Sequence, residues 1–112
     1  MTVFIIQKQM RFDNITGELV PRFPSIDKAK KFGDFEYLLS PSAHPFRPQN
    51  VIGDLHDKLA NYSDKDFLLL IGNPALIGMA VAVACHYNDG KIRLLQWSGK
   101  DGGYAEILAR VF

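Results

Sequence analysis

The chain has little cysteine and no surplus of charge. Cys85 is the one cysteine among 112 residues, which excludes an internal disulfide and a paired-cysteine redox or zinc motif. Thirteen Lys and Arg residues against twelve Asp and Glu residues leave a net charge of +1. That balance is not typical of proteins that coat nucleic acid or bind anionic membranes. The cysteine content favours a reducing compartment, and we expect a cytoplasmic protein.

The sequence shows no segment typical of export or of membrane insertion. Val3–Ile6 is an apolar run too short for a signal peptide. Phe67–Cys85 has the length of a membrane span, but Gly72, Asn73 and Pro74 in its middle are typical of a strand that ends and a helix that begins. We therefore expect no membrane partner.

Short runs of β-branched and aromatic residues predict six strands. Pro21 restricts the run around it to a sheet edge or a loop, since proline cannot donate to a strand ladder. The turn-rich connector between the last two runs predicts an antiparallel hairpin. The predicted strands are Val3–Lys8, Glu18–Phe23, Phe35–Ser40, Phe67–Ile71, Lys91–Trp97 and Tyr104–Val111.

Three further stretches predict helices. Apolar residues in Gln49–Asn61 recur at the spacing of one helical face. Ser25–Phe32 has Ser25 as a candidate cap and Gly33 as a stop. Nearly every residue of Pro74–Tyr87 is apolar, so we expect a helix that is buried on most sides. One sheet cannot cover such a helix completely, and we expect more chain or a second subunit, as in a homodimer, on its other side.

The order of these elements predicts a single α/β domain over residues 1–112. Strands and helices alternate from Phe35 onward, as in parallel sheets with right-handed crossovers. We predict a mostly parallel sheet of about four to five strands, with crossover helices and a C-terminal antiparallel hairpin.

The turns after two parallel strands contain the candidate binding residues, because ligands of open α/β sheets bind beyond the carboxyl ends of the strands. One turn offers hydroxyl, imidazole and guanidinium groups, and the other offers the backbone donors of a helix N-terminus, so together they suit an anion. The candidate ligand-binding residues are Ser40, Ser42, His44, Arg47 and Asn73. A purely structural interpretation stays open, in which the serines bond local backbone, Arg47 is solvated and Asn73 caps its helix.

No complete catalytic or metal-binding pattern accompanies these turns. His44, His56 and His86 lack the spacing of metal ligands within one element. Cys85 lies among Ala and Val residues, where a reactive thiolate is not expected. Neither turn has the glycine pattern of a Rossmann loop or a P-loop. We expect no catalytic residues, no metal and no cofactor, and the sequence favours a non-enzymatic function.

Five stretches carry a resemblance that runs over nearly the whole chain: Thr16–Phe23, Tyr37–Pro41, Leu55–Ala60, Asp66–Pro74 and Asn88–Trp97. They resemble a group of small proteins encoded by tailed bacteriophages, chiefly short-tailed ones. The resemblance implies a phage origin, so the cytoplasm expected from the cysteine content is that of the host cell. It supplies no activity.

Three functions stay open at this point. The leading hypothesis is a phage accessory protein that binds a protein, either a host factor or a second copy of the chain. The first alternative is a small anion-binding or nucleotide-binding module at the turns of Arg47 and Asn73. The second is weak DNA binding through Lys28, Lys30 and Lys31. That run lacks any helix-turn-helix, RRM or OB pattern, so we do not expect nucleic acid as the main partner.

Overall fold

Two sheets and three helices make up the computed structural model, which describes residues 1–112. In chain order the elements are β1 (Thr2–Gln7), β2 (Met10–Phe12), β3 (Leu19–Pro21), a 3-10 helix (Pro24–Phe32), β4 (Asp34–Leu39), α1 (Pro48–Leu59), β5 (Phe67–Leu69), α2 (Pro74–Tyr87), β6 (Lys91–Ser98) and β7 (Gly103–Arg110).

The larger sheet has five strands in the order β4-β1-β5-β6-β7. The first four run parallel, and β7 is antiparallel to β6. Ile5 in β1 lies opposite Tyr37 on one side and Leu69 on the other, so β1 lies inside the sheet, as do β5 and β6. The predicted α/β fold is confirmed, with its mostly parallel sheet, its crossover helices and its C-terminal hairpin.

Helices α1 and α2 cover one face of this sheet. Val51, Leu55 and Leu59 are the buried residues of α1, and they follow the helical spacing seen in the sequence. They share a core with Phe4 and Ile6, which point to the same face because side chains alternate along a strand. Burial of each such side chain contributes about 1.5–3 kcal/mol to folding.

The 3-10 helix covers the opposite face. Its residues Ile26, Ala29 and Phe32 pack in a second core that includes Val3 and Ile5. These three apolar residues recur at every third position, which is the period of a 3-10 helix rather than of an α-helix. The predicted two-turn helix thus exists over Pro24–Phe32 in a tighter form.

The predicted capping of that helix is wrong. Phe23, and not Ser25, occupies the N-cap position, and no side-chain hydrogen bond caps the helix. Pro24 explains the shift, because proline has no N–H to satisfy and its fixed φ suits the first helical position. Gly33 ends the helix as predicted.

Strands β2 and β3 form a short antiparallel hairpin, here called the arm, with Phe12 opposite Leu19. Pro21 ends this two-stranded sheet, in agreement with the predicted edge position. The sequence predicts no strand at β2, because three residues are too few to show an alternating pattern. In the turn of the arm, the backbone N–H of Ile15 donates to Asp13 at 2.9 Å, and this bond lowers the pKa of the Asp13 carboxyl.

Helix α2 begins and ends where the sequence predicts, but it is not buried on most sides. Five of its fourteen residues are buried, and a stripe along Ala75, Gly78, Ala82 and His86 is exposed. Small side chains explain the difference, since glycine and alanine carry little apolar surface and lose little by facing water. None of the helices combines the length and the apolar character that crossing a membrane requires.

The hydroxyl of Tyr62 accepts a hydrogen bond from β6 at a position where β5 provides no backbone acceptor. The pairing of these strands begins at Leu68 and Leu94, one residue after Arg93. The backbone N–H of Arg93 donates to the Tyr62 hydroxyl at 3.1 Å. The side chain of Tyr62 is buried, and that burial raises the pKa of its phenol.

Candidate functional site

Gln7 ends β1 at the carboxyl edge of the sheet and is the one buried residue with an amide or charged side chain. Its Nε2 donates to the carbonyl oxygens of Ala43 at 2.8 Å and of Ser40 at 3.2 Å. Its Oε1 accepts from the backbone N–H of Asn73 at 2.9 Å and from Nε2 of Gln9 at 3.0 Å. A single amide therefore joins the loop after β4 to the turn after β5.

Gly72 makes this junction possible. Its φ is +140°, and a Cβ on this residue would lie 2.7 Å from the Cβ of Gln7. Only glycine combines that backbone conformation with such a close approach. The next residue, Asn73, caps α2, because its Oδ1 accepts from the backbone N–H of Ala75 at 2.9 Å. Two donors at the start of α2 are therefore occupied within the chain.

The predicted binding residues are all exposed: Ser40, Ser42, His44, Arg47 and Asn73. Ser40 and Ser42 are joined through their hydroxyls at 2.9 Å, and the ring of His44 lies 6.0 Å from that of Phe46. Arg47 forms no salt bridge. Gln7 brings the two turns together, but no side chain of one turn bonds to the other turn. Ligand binding by these residues stays a prediction.

A cleft of about 570 Å³, here called the arm cleft, opens at the same end of the sheet. It lies between the arm and the strand ends, on the face that carries the 3-10 helix. Leu69 and Leu95, which belong to the second core, form part of its lining. Strands β5 and β6 end there, which is the place where parallel sheets bind ligands.

Three aromatic rings and one guanidinium group give the arm cleft its chemistry. Trp97 and Tyr104 lie edge to face with ring centroids 5.3 Å apart. Phe23 and Arg22 enter the lining from the end of the arm, and the Arg22 guanidinium lies 5.8 Å from the Phe23 ring. Arg22 is the one charged residue of the lining. This combination suits a flat ligand that carries negative charge.

Two polar side chains add hydrogen-bonding groups to the cleft. Partial burial raises the pKa of Tyr104, and a hydrogen bond with Ser25 opposes part of that shift. The phenol therefore stays neutral at physiological pH and can donate to a ligand. Ser25 lines the same cleft, and so does Gln9, whose side chain donates a hydrogen bond to Gln7.

The sequence did not reveal this cleft, because its residues come from five separated segments. Arg22 and Phe23 follow β3, Trp97 is the last residue but one of β6, and Tyr104 is the second residue of β7. No spacing within one element connects them. The only available signal was the general rule that sites lie at the carboxyl ends of parallel strands. That rule identified the correct end of the sheet, but the residues chosen there lie on the opposite face from the cleft.

A second cluster lies where α1 meets the end of α2. Nδ1 of His56 and the hydroxyl of Tyr87 are 2.6 Å apart, and the ring centroids of His56 and His86 are 6.0 Å apart. No third His, Cys, Asp or Glu residue joins them in a group that could hold a metal ion. Cys85 is buried, and burial raises the pKa of its thiol, which opposes a nucleophilic role.

The two edges of the five-stranded sheet differ in their protection. On β4, Nζ of Lys58 donates to the carbonyl oxygen of Tyr37 at 3.0 Å, and the exposed carboxylates Asp34 and Glu36 belong to the same strand. Charged side chains on an edge oppose the addition of another strand. On the other side nothing pairs with the outer side of β7, here called the open edge.

The open edge is accessible, and its charged residues Glu106 and Arg110 lie on either side of an apolar centre. Six consecutive residues of β7, Ala105–Arg110, are exposed, and Leu108 among them is 67% exposed. Ile107 points to the opposite face of the strand and is 38% exposed. An exposed edge strand of this length is a template for pairing with another chain.

Alternate residues of β7 turn their backbone groups outward. Opposite residues of an antiparallel ladder either exchange hydrogen bonds or face away from each other. The N–H of Arg93 donates to a tyrosine hydroxyl, and the carbonyl of Leu95 accepts from the chain after β5, so both face away from β7. Their partners in β7 are Leu108 and Glu106, which therefore face outward, and the alternation adds Arg110.

Comparison with known proteins agrees with the phage resemblance of the sequence. No curated protein and no solved structure matches the chain. A family model described as Phage Pam3 gp32-like protein matches residues 1–111, and the chain therefore belongs to this family of phage proteins.

Proposed function

We propose that this phage protein is a non-enzymatic accessory protein that acts in the cytoplasm of the host cell by binding another protein through the open edge. The observation that carries the proposal is the contrast between the two sheet edges. Both edges bear two exposed charged residues of their own strand, but Lys58 occupies a backbone carbonyl of β4, whereas β7 presents Leu108 between Glu106 and Arg110 and its outward backbone groups are unpaired.

The chemistry of the open edge favours an extended partner segment. Outward N–H and C=O groups supply main-chain hydrogen bonds to a strand added alongside, and flanking side chains supply selectivity. Ile107 and Leu108 point to opposite faces of β7, so an added strand would bury apolar surface on both faces. Each of these contacts removes from water a side chain that folding alone leaves exposed.

The test is capture of partners from lysates of infected cells with three versions of the immobilised protein: the natural chain, Leu108→Lys and Ile15→Lys. Leu108→Lys places a charge on the open edge. Ile15→Lys is the matched control, since Ile15 is 94% exposed in the turn of the arm. We expect the natural chain and the control to retain the same protein and Leu108→Lys to lose it.

The result that would contradict the proposal is a retained protein that all three chains bind equally, or no specific protein on any of them. We expect both variants to keep the fold, because both substituted side chains are exposed. Circular dichroism of the two variants checks this. A loss of binding by both lysine variants would place the contact elsewhere on the surface.

The arm cleft favours a second candidate, the binding of a small anionic or nucleotide-like ligand at the carboxyl ends of the parallel strands. Its aromatic rings can stack on a flat ring system, and Arg22 can pair with a phosphate or a carboxylate. This candidate keeps the ligand class inferred from the sequence. It moves the cationic group from Arg47 to Arg22.

Trp97 provides the measurement for this second candidate, because it is the one tryptophan of the chain and lines the cleft. We expect adenosine monophosphate to change the tryptophan fluorescence in a saturable way and inorganic phosphate alone to have a smaller effect. Arg22→Ala should abolish the response and Arg47→Ala should leave it unchanged. The reverse result would return the site to the loop after β4, and no response to either probe would remove the candidate.

A further inference from the structure

We infer that the occupant of the open edge is a second copy of this chain, paired antiparallel through β7 about a twofold axis at Leu108. This inference rests on the proposed use of the open edge and names its partner. The two five-stranded sheets would then join into one sheet of ten strands, with the outward backbone groups of each β7 satisfied by the other.

Symmetry limits how two identical strands can pair. When a twofold axis relates them, one residue of each strand lies opposite its own copy, and the others pair at equal distances on either side. Each choice of the central residue therefore fixes every other pair across the interface. Choices within β7 can be compared by the charges that they bring together.

The axis at Leu108 is the one that pairs opposite charges. It places Glu106 opposite Arg110 of the other copy, and symmetry repeats this pair on the other side of the axis. An axis at Glu106 or at Arg110 would place two like charges face to face. An axis at Ile107 would set Glu106 against Leu108, and one at Ala109 would set Leu108 against Arg110.

The backbone and the side chains agree with this register. Glu106, Leu108 and Arg110 are the residues whose backbone groups face outward, so the paired residues are also those that can exchange hydrogen bonds. On the other face of the strand, the same register sets the larger Ile107 against the smaller Ala109 of the other copy. Leu108 packs against its own copy at the centre.

Glu106 and Arg110 can both take part in the proposed ion pair between the two copies. Arg93 donates to Glu106 at 2.8 Å, and a carboxylate has further acceptor positions for a second guanidinium. Arg110 lies 3.7 Å from Asp89, and both side chains of that contact are mostly exposed. An exposed pair at this distance is weak. Nε of Arg110 also donates to the carbonyl oxygen of Phe112 at 2.8 Å, so turning towards Glu106 of the other copy exchanges two exposed contacts for a new ion pair.

The first experiment uses two single variants and their mixture. Glu106→Arg sets arginine opposite arginine, and Arg110→Glu sets glutamate opposite glutamate, so each variant alone should dimerise at least about tenfold more weakly than the natural chain. A heterodimer of the two restores an opposite pair at both positions. We expect sedimentation to show the weakened variants and native mass spectrometry of the mixture to show predominantly the heterodimer.

The second experiment measures the register. Leu108→Cys places two thiols across the axis with Cα atoms about 5.5 Å apart, within the range of a disulfide. Ala105→Cys is the matched control, since the proposed register separates its two copies by about 20 Å. Mild oxidation should crosslink the first variant and not the second, and the buried Cys85 stays out of reach.

Three results would overturn the inference: a strictly monomeric natural chain, a mixture without preference for the heterodimer, or crosslinking of Ala105→Cys with none of Leu108→Cys. A monomer whose open edge still captures a protein from lysate would leave the proposed function standing and remove only the second copy. A dimer that persists unchanged in Leu108→Lys would remove both.

Discussion

The backbone N–H of Asn73 and the side-chain Oε1 of Gln7 are joined by a hydrogen bond of 2.9 Å that spans 66 residues of chain. The same amide holds the loop after β4 through Ala43. The carboxyl end of the sheet is therefore organised by one buried side chain at the end of β1, and the two turns that the sequence singles out depend on it for their relative position.

Gln7→Ala should destabilise the protein by about 3 kcal/mol, because it leaves the N–H of Asn73 and the carbonyl of Ala43 without partners in a partly buried site. Urea unfolding followed by circular dichroism measures this loss. Gln9→Ala is the control, since the side chain of Gln9 bonds only to Gln7. A difference of less than about 0.5 kcal/mol between the two variants would contradict this role of Gln7.

Gly72→Ala should also be destabilising, by more than about 2 kcal/mol, because φ at this position is +140° and the new Cβ would meet the Cβ of Gln7 at 2.7 Å. The comparison is Gly78→Ala, where a Cβ would meet nothing within 4 Å. Gly78 lies on the exposed side of α2, so alanine there should stabilise the protein by up to about 1 kcal/mol. Thermal melts of both variants should therefore shift in opposite directions.

Tyr62→Phe should lower the free energy of unfolding by about 1–2 kcal/mol, since it removes the acceptor of the Arg93 N–H without opening a cavity. Hydrogen exchange gives the sharper measurement, because the amide of Arg93 should lose protection while the amide of Leu95 keeps it. Equal protection of the Arg93 amide in both proteins would show that the hydroxyl is not its partner.

Protonation of Asp64 should lower the stability of the protein in acid. A hydrogen bond from the Asn88 side chain, followed by one from Lys91, holds the pKa of Asp64 below its usual value of 3.8. Because the folded pKa lies below the unfolded one, the stabilisation is present above the unfolded pKa and is lost as the pH falls through the folded pKa. Asp64→Asn should flatten the fall in stability between about pH 5 and pH 2.

Denaturation at several pH values tests this dependence. Asp57→Asn is the control, since Asp57 is exposed and forms no salt bridge. The control should keep the acid dependence of the natural chain. An acid dependence of Asp64→Asn identical to that of the natural chain would contradict the contribution of Asp64.

Helix α2 shows what the sequence can determine. Its bounds match the prediction because local signals mark both ends: Asn73 and Pro74 at the start, and Asp89 and Gly90, both with positive φ, at the end. Its burial was predicted incorrectly, because hydropathy averages do not distinguish an apolar helix of large residues from one of small residues. The mostly parallel character of the sheet followed from the alternation of elements, which limits the possible connections, whereas the order of its strands did not.

The candidate sites show what the sequence cannot determine. Gln7 is a single polar residue at a strand end, and its role arises from two turns more than thirty residues away. The arm cleft likewise depends on Arg22 and Trp97, which only the folded chain brings to one place. Such sites arise from the topology of the folded chain, and no local pattern of residue types predicts them.

The ammonium group of Lys58 on the Tyr37 carbonyl has a consequence for assembly. A molecule whose two sheet edges could both pair with other strands could add neighbours without limit and grow into a fibril. With the β4 edge sealed, growth would stop at the first isologous contact, so pairing through β7 would give closed dimers and no fibril.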